Sequence, residues 1–241
     1  MSWNGLRVLA VVPARGGSKG IPRKNLCQVG GCSLIAHAAR VLKPLVWVDL
    51  AVLSTDDQEM AVEGKKHGLQ VPFMRPVELS QDLSGSVEMW QHAWLASEEY
   101  FGCRFDVSIL LQPTTPLRSP EEVELTLKAM VEGGHQAATT VSRVPAHFTP
   151  EKTLLKKESG VLSYYHPKGQ EHTARQTIPP YYFRNGLCYA VTRQTLIDHG
   201  RIIEEDCVGV VIDRYVVNID DPIDLELADF FYAKNPDLYR F

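Results

Sequence analysis

The sequence predicts an α/β fold built on a sheet of Rossmann-like type, and three observations carry that reading. Short β-branched runs alternate with amphipathic helical stretches from the amino end, a glycine-rich turn follows directly on the first of those runs, and the rhythm loosens after about residue 138. Strand, loop and helix in that order favour parallel pairing, and the irregular second half reads as elaboration of the sheet. The chain has 241 residues, 44% hydrophobic and 22% charged, enough to bury one large core with a small appendage.

The elements follow in order. Leu6 to Val12 is the first strand. Leu34, Ile35, Ala38, Val41 and Leu42 keep helical spacing behind Ser33, whose hydroxyl suits an N-cap. Trp47 to Ser54 is the second strand, and Asp56 opens a polar helix that closes at Gly68, a natural C-cap. Val87, Trp90, Trp94 and Phe101 mark a third helix with an aromatic face, which reads as core packing. Phe105 to Gln112 is the third strand. Ser119-Pro120-Glu121-Glu122 combines a capping box with proline at the first helical position and starts a helix that runs to Gly133. Strand-like pieces at Ala138 to Ser142, Gly186 to Val191 and Tyr215 to Ile219 then surround Pro145 to Tyr182, which fits neither period and reads as an insertion, an arm or a lid. Asp221-Pro222 caps a last helix through Phe231.

Composition bounds the function. No apolar run approaches the roughly 18 residues of a membrane span, and Met1 to Leu9 is interrupted by Asn4 and Gly5, so a cytoplasmic protein is expected. Five cysteines, an odd number sparsely placed, fit reduced thiols better than disulfides or zinc. Net charge is −4, yet no acidic residue precedes Asp49, while Arg7, Arg15, Lys19, Arg23, Lys24, Arg40 and Lys43 do. Four of those seven cations crowd between Arg15 and Lys24. Such segregation points to a local anion site for a small, multiply charged partner and away from a nucleic-acid face, which spreads its charge widely.

The segment from Pro13 to Asn25 supplies that site. Gly16, Gly17 and Gly20 let backbone N–H groups approach a ligand, and Arg15, Lys19, Arg23 and Lys24 add the charge that a phosphate cradle needs. The spacing is neither GxxxxGK[ST] nor GxGxxG, which disfavours an ATPase P-loop and a dinucleotide fold.

Val12-Pro13-Ala14-Arg15-Gly16-Gly17-Ser18-Lys19-Gly20-Ile21-Pro22-Arg23-Lys24-Asn25 resembles the signature loop of the acylneuraminate (CMP-sialic acid) cytidylyltransferase family. Further matches stand in the family's order: Ser54-Thr55-Asp56, Arg75-Pro76-Val77-Glu78-Leu79, Leu110 to Arg118, and Arg175-Gln176 through Asn185-Gly186. The resemblance implies a Rossmann-like nucleotidyltransferase (nucleotide-diphospho-sugar transferase) fold, a mostly parallel sheet flanked by helices. It implies one domain over 1–241, with a dimerisation arm within about 145–182 and 199–212. The implied reaction transfers CMP from CTP to an acidic sugar, sialic acid or a related nonulosonate, and releases pyrophosphate. A phosphonate or another small acidic acceptor, or a catalytically weak nucleotide-binding regulator, stay open as alternatives.

The same resemblance assigns residues. Arg15, Lys19, Lys24 and Asp220 are the expected catalytic set. Ala14, Arg15, Gly16, Gly17, Ser18, Asn25, Arg75 and Ser86 are expected to hold the nucleotide, and Gln112, Lys152, Arg175, Arg184 and Asn185 the acidic acceptor. Asp220 and Asn218 are expected to bind Mg2+, with CTP and the acceptor as partners, no nucleic acid, no membrane, and a homodimer. Strand alternation would turn Asn218 and Asp220 to the same side. Three departures stand out: Asn218 stands where the family usually has Asp, which bears on the metal, while Arg184, one position out of register, and Ile202-Ile203, in place of a pair of aromatics, bear on the substrate.

Overall fold

The computed structural model describes residues 3–82, 84–171 and 178–239, and these fall into two compact units. The first comprises residues 1–140, 185–210 and 216–241, and the second 141–184 with 211–215. In chain order the strands are β1 Val8–Pro13, β2 Gln28–Val29, β3 Cys32–Ser33, β4 Leu50–Ser54, β5 Val107–Leu110, β6 Ala137–Arg143, β7 Leu154–Lys156, β8 Leu162–Tyr164, β9 Tyr182–Thr192 and β10 Val208–Val211. The α-helices are α1 Leu34–Leu42, α2 Gln58–Lys66, α3 Ser86–Phe101, α4 Pro120–Glu132 and α5 Pro222–Lys234.

Six strands form one sheet in the order β10-β6-β9-β5-β1-β4. Alternation in β1 decides its two faces. Val8, Ala10 and Val12 join Ile35, Val41, Val123 and Leu127 in one cluster, while Leu9 and Val11 meet Trp90, Ala93 and Trp94 of α3 in another. A strand buried on both sides belongs in the middle, and β1 pairs in parallel with both β4 and β5. β5 then pairs antiparallel with β9. The chain passes from β1 to β4 on one side and returns to β5 on the other, so the carboxyl ends of β1 and β5 diverge at a topological switch point, where open α/β sheets bind ligands. The α/β expectation holds, and both tryptophans of α3 are core residues without exposure.

Local signals placed most elements within a few residues. Ser33 caps α1 by accepting from the Ala36 N–H, and Ser119 and Glu122 complete the capping box of α4. Asp57, one residue past the expected Asp56, caps α2, because its carboxylate accepts from the N–H groups of Glu59 and Met60. The strand expected from Trp47 starts at Leu50, since Leu45 to Val48 closes a turn with the Val48 N–H on the Leu45 carbonyl. Tyr215 to Ile219 is coil and not the expected strand. Its alternation comes from Val217 and Ile219 packing beneath Ala228 and Tyr232 of α5, with the Ile219 N–H 2.7 Å from the Thr114 carbonyl.

The second unit carries single-turn 3-10 helices at Ala146–Phe148 and Pro150–Lys152 and the antiparallel hairpin of β7 with β8. Leu154, Leu155, Val161, Leu162, Tyr164 and Tyr165 of that hairpin are all exposed. Among the described residues no helix is long and apolar enough to cross a membrane.

Candidate active site

Buried β1 delivers the chain into the turn from Pro13 to Leu26, and hydrogen bonds fix the shape of that turn. The Ala14 N–H donates to the Ser54 carbonyl, the Gly16 N–H to Asp56 Oδ1 at 2.9 Å, and Asn25 Nδ2 to the Arg15 carbonyl at 3.1 Å. None of Gly16, Gly17 and Gly20 has a positive φ. The left-handed residue of the turn is Arg23, at φ 53°. Gly20 is needed for close approach instead, because a Cβ there would sit 2.6 Å from the Asp220 carbonyl oxygen.

This turn borders a cleft of about 530 Å³ within the first unit, at the carboxyl ends of β1 and β5. Arg15, Ser18, Lys19, Gly20, Lys24 and Asn25 line one wall; Gln112, Pro113 and Thr114 line the end of β5; Asp220 closes a third side. Gly85 and Ser86 bring in the start of α3, where no side chain caps the helix, and its N–H end carries partial positive charge. Arg75 also reaches the cleft. Its Nε donates to Ser54 Oγ at 3.0 Å and it holds the Ser54 carbonyl as well. Burial pulls its guanidinium down to about 10, against the opposing pull of the Asp56 carboxylate.

The charge segregation seen along the chain is undone in space. Arg15 NH1 lies 3.1 Å from Asp82 Oδ1 and Lys19 Nζ 2.6 Å from Asp82 Oδ2, so one carboxylate bridges two cations. The hydrogen bond from Lys19 holds the Asp82 carboxyl below its ordinary range. Lys24 Nζ donates to the Ile219 carbonyl at 2.8 Å and to Asp220 Oδ1 at 2.9 Å. Arg23 corrects the expectation of four phosphate-facing cations: it turns to Asp57 and Glu59, at 3.0 and 2.8 Å, and is not part of the cleft wall.

Asn218 and Asp220 are adjacent and exposed, but the coil aims the amide differently from a paired oxygen site. Asn218 Nδ2 donates to Asp220 Oδ2 at 2.7 Å, and its carbonyl oxygen accepts from the Thr115 hydroxyl at 3.3 Å. Asn218 therefore orients Asp220 and presents nitrogen, not oxygen, toward it. No group of three or more His, Cys, Asp or Glu side chains suited to a metal occurs among the described residues. The Asp220 carboxylate fits a hard cation that draws its remaining oxygens from phosphate and water.

Of the five acceptor residues, Gln112 lines the cleft. Asn185 is buried instead, with Oδ1 accepting from the Thr140 hydroxyl at 2.6 Å and from the Leu187 N–H at 3.2 Å, so it secures β9. Lys152 and Arg184 belong to the second unit, and Arg175 lies outside the described residues. Ala14 is wholly buried as the first step of the turn, and Gly16 and Gly17 shape the turn without bordering the cleft. Sequence reasoning missed Asp82, Gln81, Thr114 and the apolar wall of Leu79 and Met89. Leu79 and Thr114 stood inside the matched segments Arg75 to Leu79 and Leu110 to Arg118, while Gln81, Asp82 and Met89 had only their position between Arg75 and Gln112 as a signal.

A family model described as Cytidylyltransferase matches residues 9–224, which span the phosphate turn, the β5 edge and Asp220. The chain belongs to the cytidylyltransferase family. This cytidylyltransferase is 28% identical over 224 residues to post-translational flagellin modification protein B of Campylobacter coli, covering 92% of this chain and 94% of that protein. It is 29% identical to the CMP-N,N'-diacetyllegionaminic acid synthase of Legionella pneumophila, covering 93% and 95%. Its fold is shared with a CMP:2-keto-3-deoxy-manno-octonic acid synthetase complexed with CTP, at a TM-score of 0.68 and 20% identity, over 95% of this chain and 99% of that one.

Proposed function

We propose that this cytidylyltransferase moves CMP from CTP to an acidic sugar of the nonulosonate class and releases pyrophosphate. The observation that carries the proposal is the convergence of Arg15, Lys19, Lys24 and Asp220 on one cleft at the carboxyl ends of β1 and β5, in a chain of this family. Relatives that act on acidic sugars of this kind support the acceptor class.

The chemistry follows from charge. An acceptor hydroxyl attacks the α-phosphorus of CTP in line, a new oxygen–phosphorus bond forms as the hydroxyl gives up its proton to solvent, and the bond to the bridging oxygen of pyrophosphate breaks. Negative charge grows on the leaving oxygens, where Arg15 and Lys19 hold them and Lys24 meets the α-phosphate side. Ser18 and the uncapped start of α3 at Ser86 supply neutral donors. Gln112, at the end of β5, orients the acceptor, and Arg75 and Asn25 fix the walls on the nucleoside side. Mg2+ held by Asp220 and phosphate oxygens would supply Lewis-acid stabilisation of the phosphate charge.

A homodimer is part of the same proposal. The hairpin of β7 and β8 exposes six large apolar or aromatic side chains, surface of the kind that marks an interaction site, and a second copy would cover it. A cytoplasmic setting fits the nucleotide substrate.

Purified full-length chain with CTP, Mg2+ and a panel of acids tests the activity by pyrophosphate release. The panel includes N,N'-diacetyllegionaminic acid, a sialic acid, a 2-keto-3-deoxy acid and a phosphonate. Turnover with a nonulosonate is the expected result; pyrophosphate release with the phosphonate alone would replace the acceptor class, and none with any acid would refute the enzyme reading.

A further inference from the structure

The three cations that the turn puts on the cleft wall, Arg15, Lys19 and Lys24, are each matched by a carboxylate from later in the chain, but the matches differ in kind. Lys24 is well enclosed, its side chain 15% exposed, and held twice, by the Ile219 carbonyl and by Asp220. Lys19 is 80% exposed, and Asp82, which it shares with Arg15, is 40% exposed. Ion pairs so open to water exchange partners at little cost. Asp82 is also a cleft-lining residue, and its two oxygens take the two cations separately, as two oxygens of a phosphate chain would. Arg15 NH1 is additionally steered by the Gln81 carbonyl at 3.0 Å, so the neighbouring residue keeps Arg15 close to Asp82 whichever anion it holds.

We propose that Asp82 is a built-in competitor for the polyphosphate: it occupies Arg15 and Lys19 in the free enzyme, yields them to CTP, and reclaims them as pyrophosphate departs. The proposal rests on the nucleotide reading of the cleft. A polyphosphate seated on Arg15 and Lys19 would have the Asp82 charge as a near neighbour, and like charges at such a separation oppose binding. The competition acts on the β and γ phosphates, so it weakens CTP and pyrophosphate and leaves CMP untouched. It lowers ground-state grip on the leaving group and hastens its release.

Direct titration calorimetry on the full-length chain, with pyrophosphate, CTP and CMP as separate ligands, tests this. Asp82→Asn keeps the shape and removes the charge, Asp82→Glu keeps the charge, and near-ultraviolet circular dichroism confirms that each variant is folded. The expected result for Asp82→Asn is pyrophosphate and CTP binding tightened about tenfold, with CMP unchanged and Asp82→Glu close to the parent. Should Asp82→Asn misfold, Asp82→Ala takes its place with the same expectation. Pyrophosphate binding that is unchanged or weaker in the charge-removed variant overturns the proposal, as does equal tightening of CMP. An Arg15→Ala, Lys19→Ala double variant separates the two levels. If it binds pyrophosphate as tightly as the parent, the polyphosphate reading of the turn fails and takes the proposal with it. If it loses pyrophosphate while Asp82→Asn gains nothing, the turn stands and only the role of Asp82 falls.

Discussion

Lys24 Nζ and Asp220 Oδ1 lie 2.9 Å apart although 196 residues separate them in the chain. The contact joins the phosphate turn after β1 to the coil that leads into α5, and Asn218 Nδ2 grips the other oxygen of the same carboxylate at 2.7 Å. Asp220 is thus a single negative charge held in a fixed orientation at the cleft.

Asp220→Asn should cut turnover by about 100-fold or more, the scale on which loss of one preorganised electrostatic partner is felt. Binding of CTP without added metal should not weaken, because a negative charge has been removed from the wall. Pyrophosphate release across a Mg2+ series, beside calorimetry with CTP alone, measures both.

Arg15→Ala and Lys19→Ala should each weaken CTP binding by about tenfold, the lower end of what a charge-assisted hydrogen bond contributes, since each cation already has Asp82 as a partner. CMP affinity should change little. Competition binding with the two nucleotides reads the difference.

Leu155→Asp together with Leu162→Asp should yield a folded monomer. Both side chains are about half exposed on the β7–β8 hairpin, so the charges cost the protomer little and disfavour an apolar contact between copies. Sedimentation velocity distinguishes the states, and a dimer that persists would move the interface elsewhere.

Gly30→Ala should destabilise the chain by at least about 1–2 kcal/mol, the cost of a left-handed backbone for a residue with a Cβ. Gly30 has φ +57°, and a Cβ there would stand 2.1 Å from the Tyr232 ring, forcing α5 to shift. The urea midpoint should fall with an unchanged slope.

Glu98 should make stability sensitive to acid. Burial alone would raise its carboxyl, but the Phe105 N–H at 2.8 Å, the Arg193 guanidinium at 2.5 Å and the Trp94 indole at 3.0 Å outweigh burial and hold it below the ordinary value. The folded chain binds that proton less readily than the unfolded chain. Its contribution is therefore full above the unfolded glutamate pKa, about 4.3, and is lost as pH falls through the lower folded value. The gap in urea midpoint between the parent and Glu98→Gln should be widest near neutrality, begin to narrow as the pH approaches the unfolded glutamate value, and close only below the lower folded value.

Much of the scaffold was legible because its causes are local. The unbroken apolar run from Leu9 to Val12 reports two buried faces, Ser119-Pro120-Glu121-Glu122 carries its own hydrogen-bond partners, and Arg15 and Lys19 stand out because no acid precedes Asp49. Tyr215 to Ile219 misled for the same reason: burying every second residue leaves one pattern whether the partner is a strand or a helix, and here it is α5.

What the letters determined by themselves was the kind of molecule: an α/β sheet with a cationic, glycine-bearing turn at its ligand-binding edge. Tertiary structure decided which charges meet. Asp82 carries no mark in a polar stretch of chain, Asn185 looks as ready for a ligand as Gln112, and Arg23 looks the equal of Lys19. Only the folded sheet sends Asp82 to Arg15 and Lys19, Asn185 to Thr140, and Arg23 to Asp57. Side-chain identity fixes what a residue can bind, whereas its partner is fixed by which distant segment the chain brings within about 3 Å, the reach of a hydrogen bond.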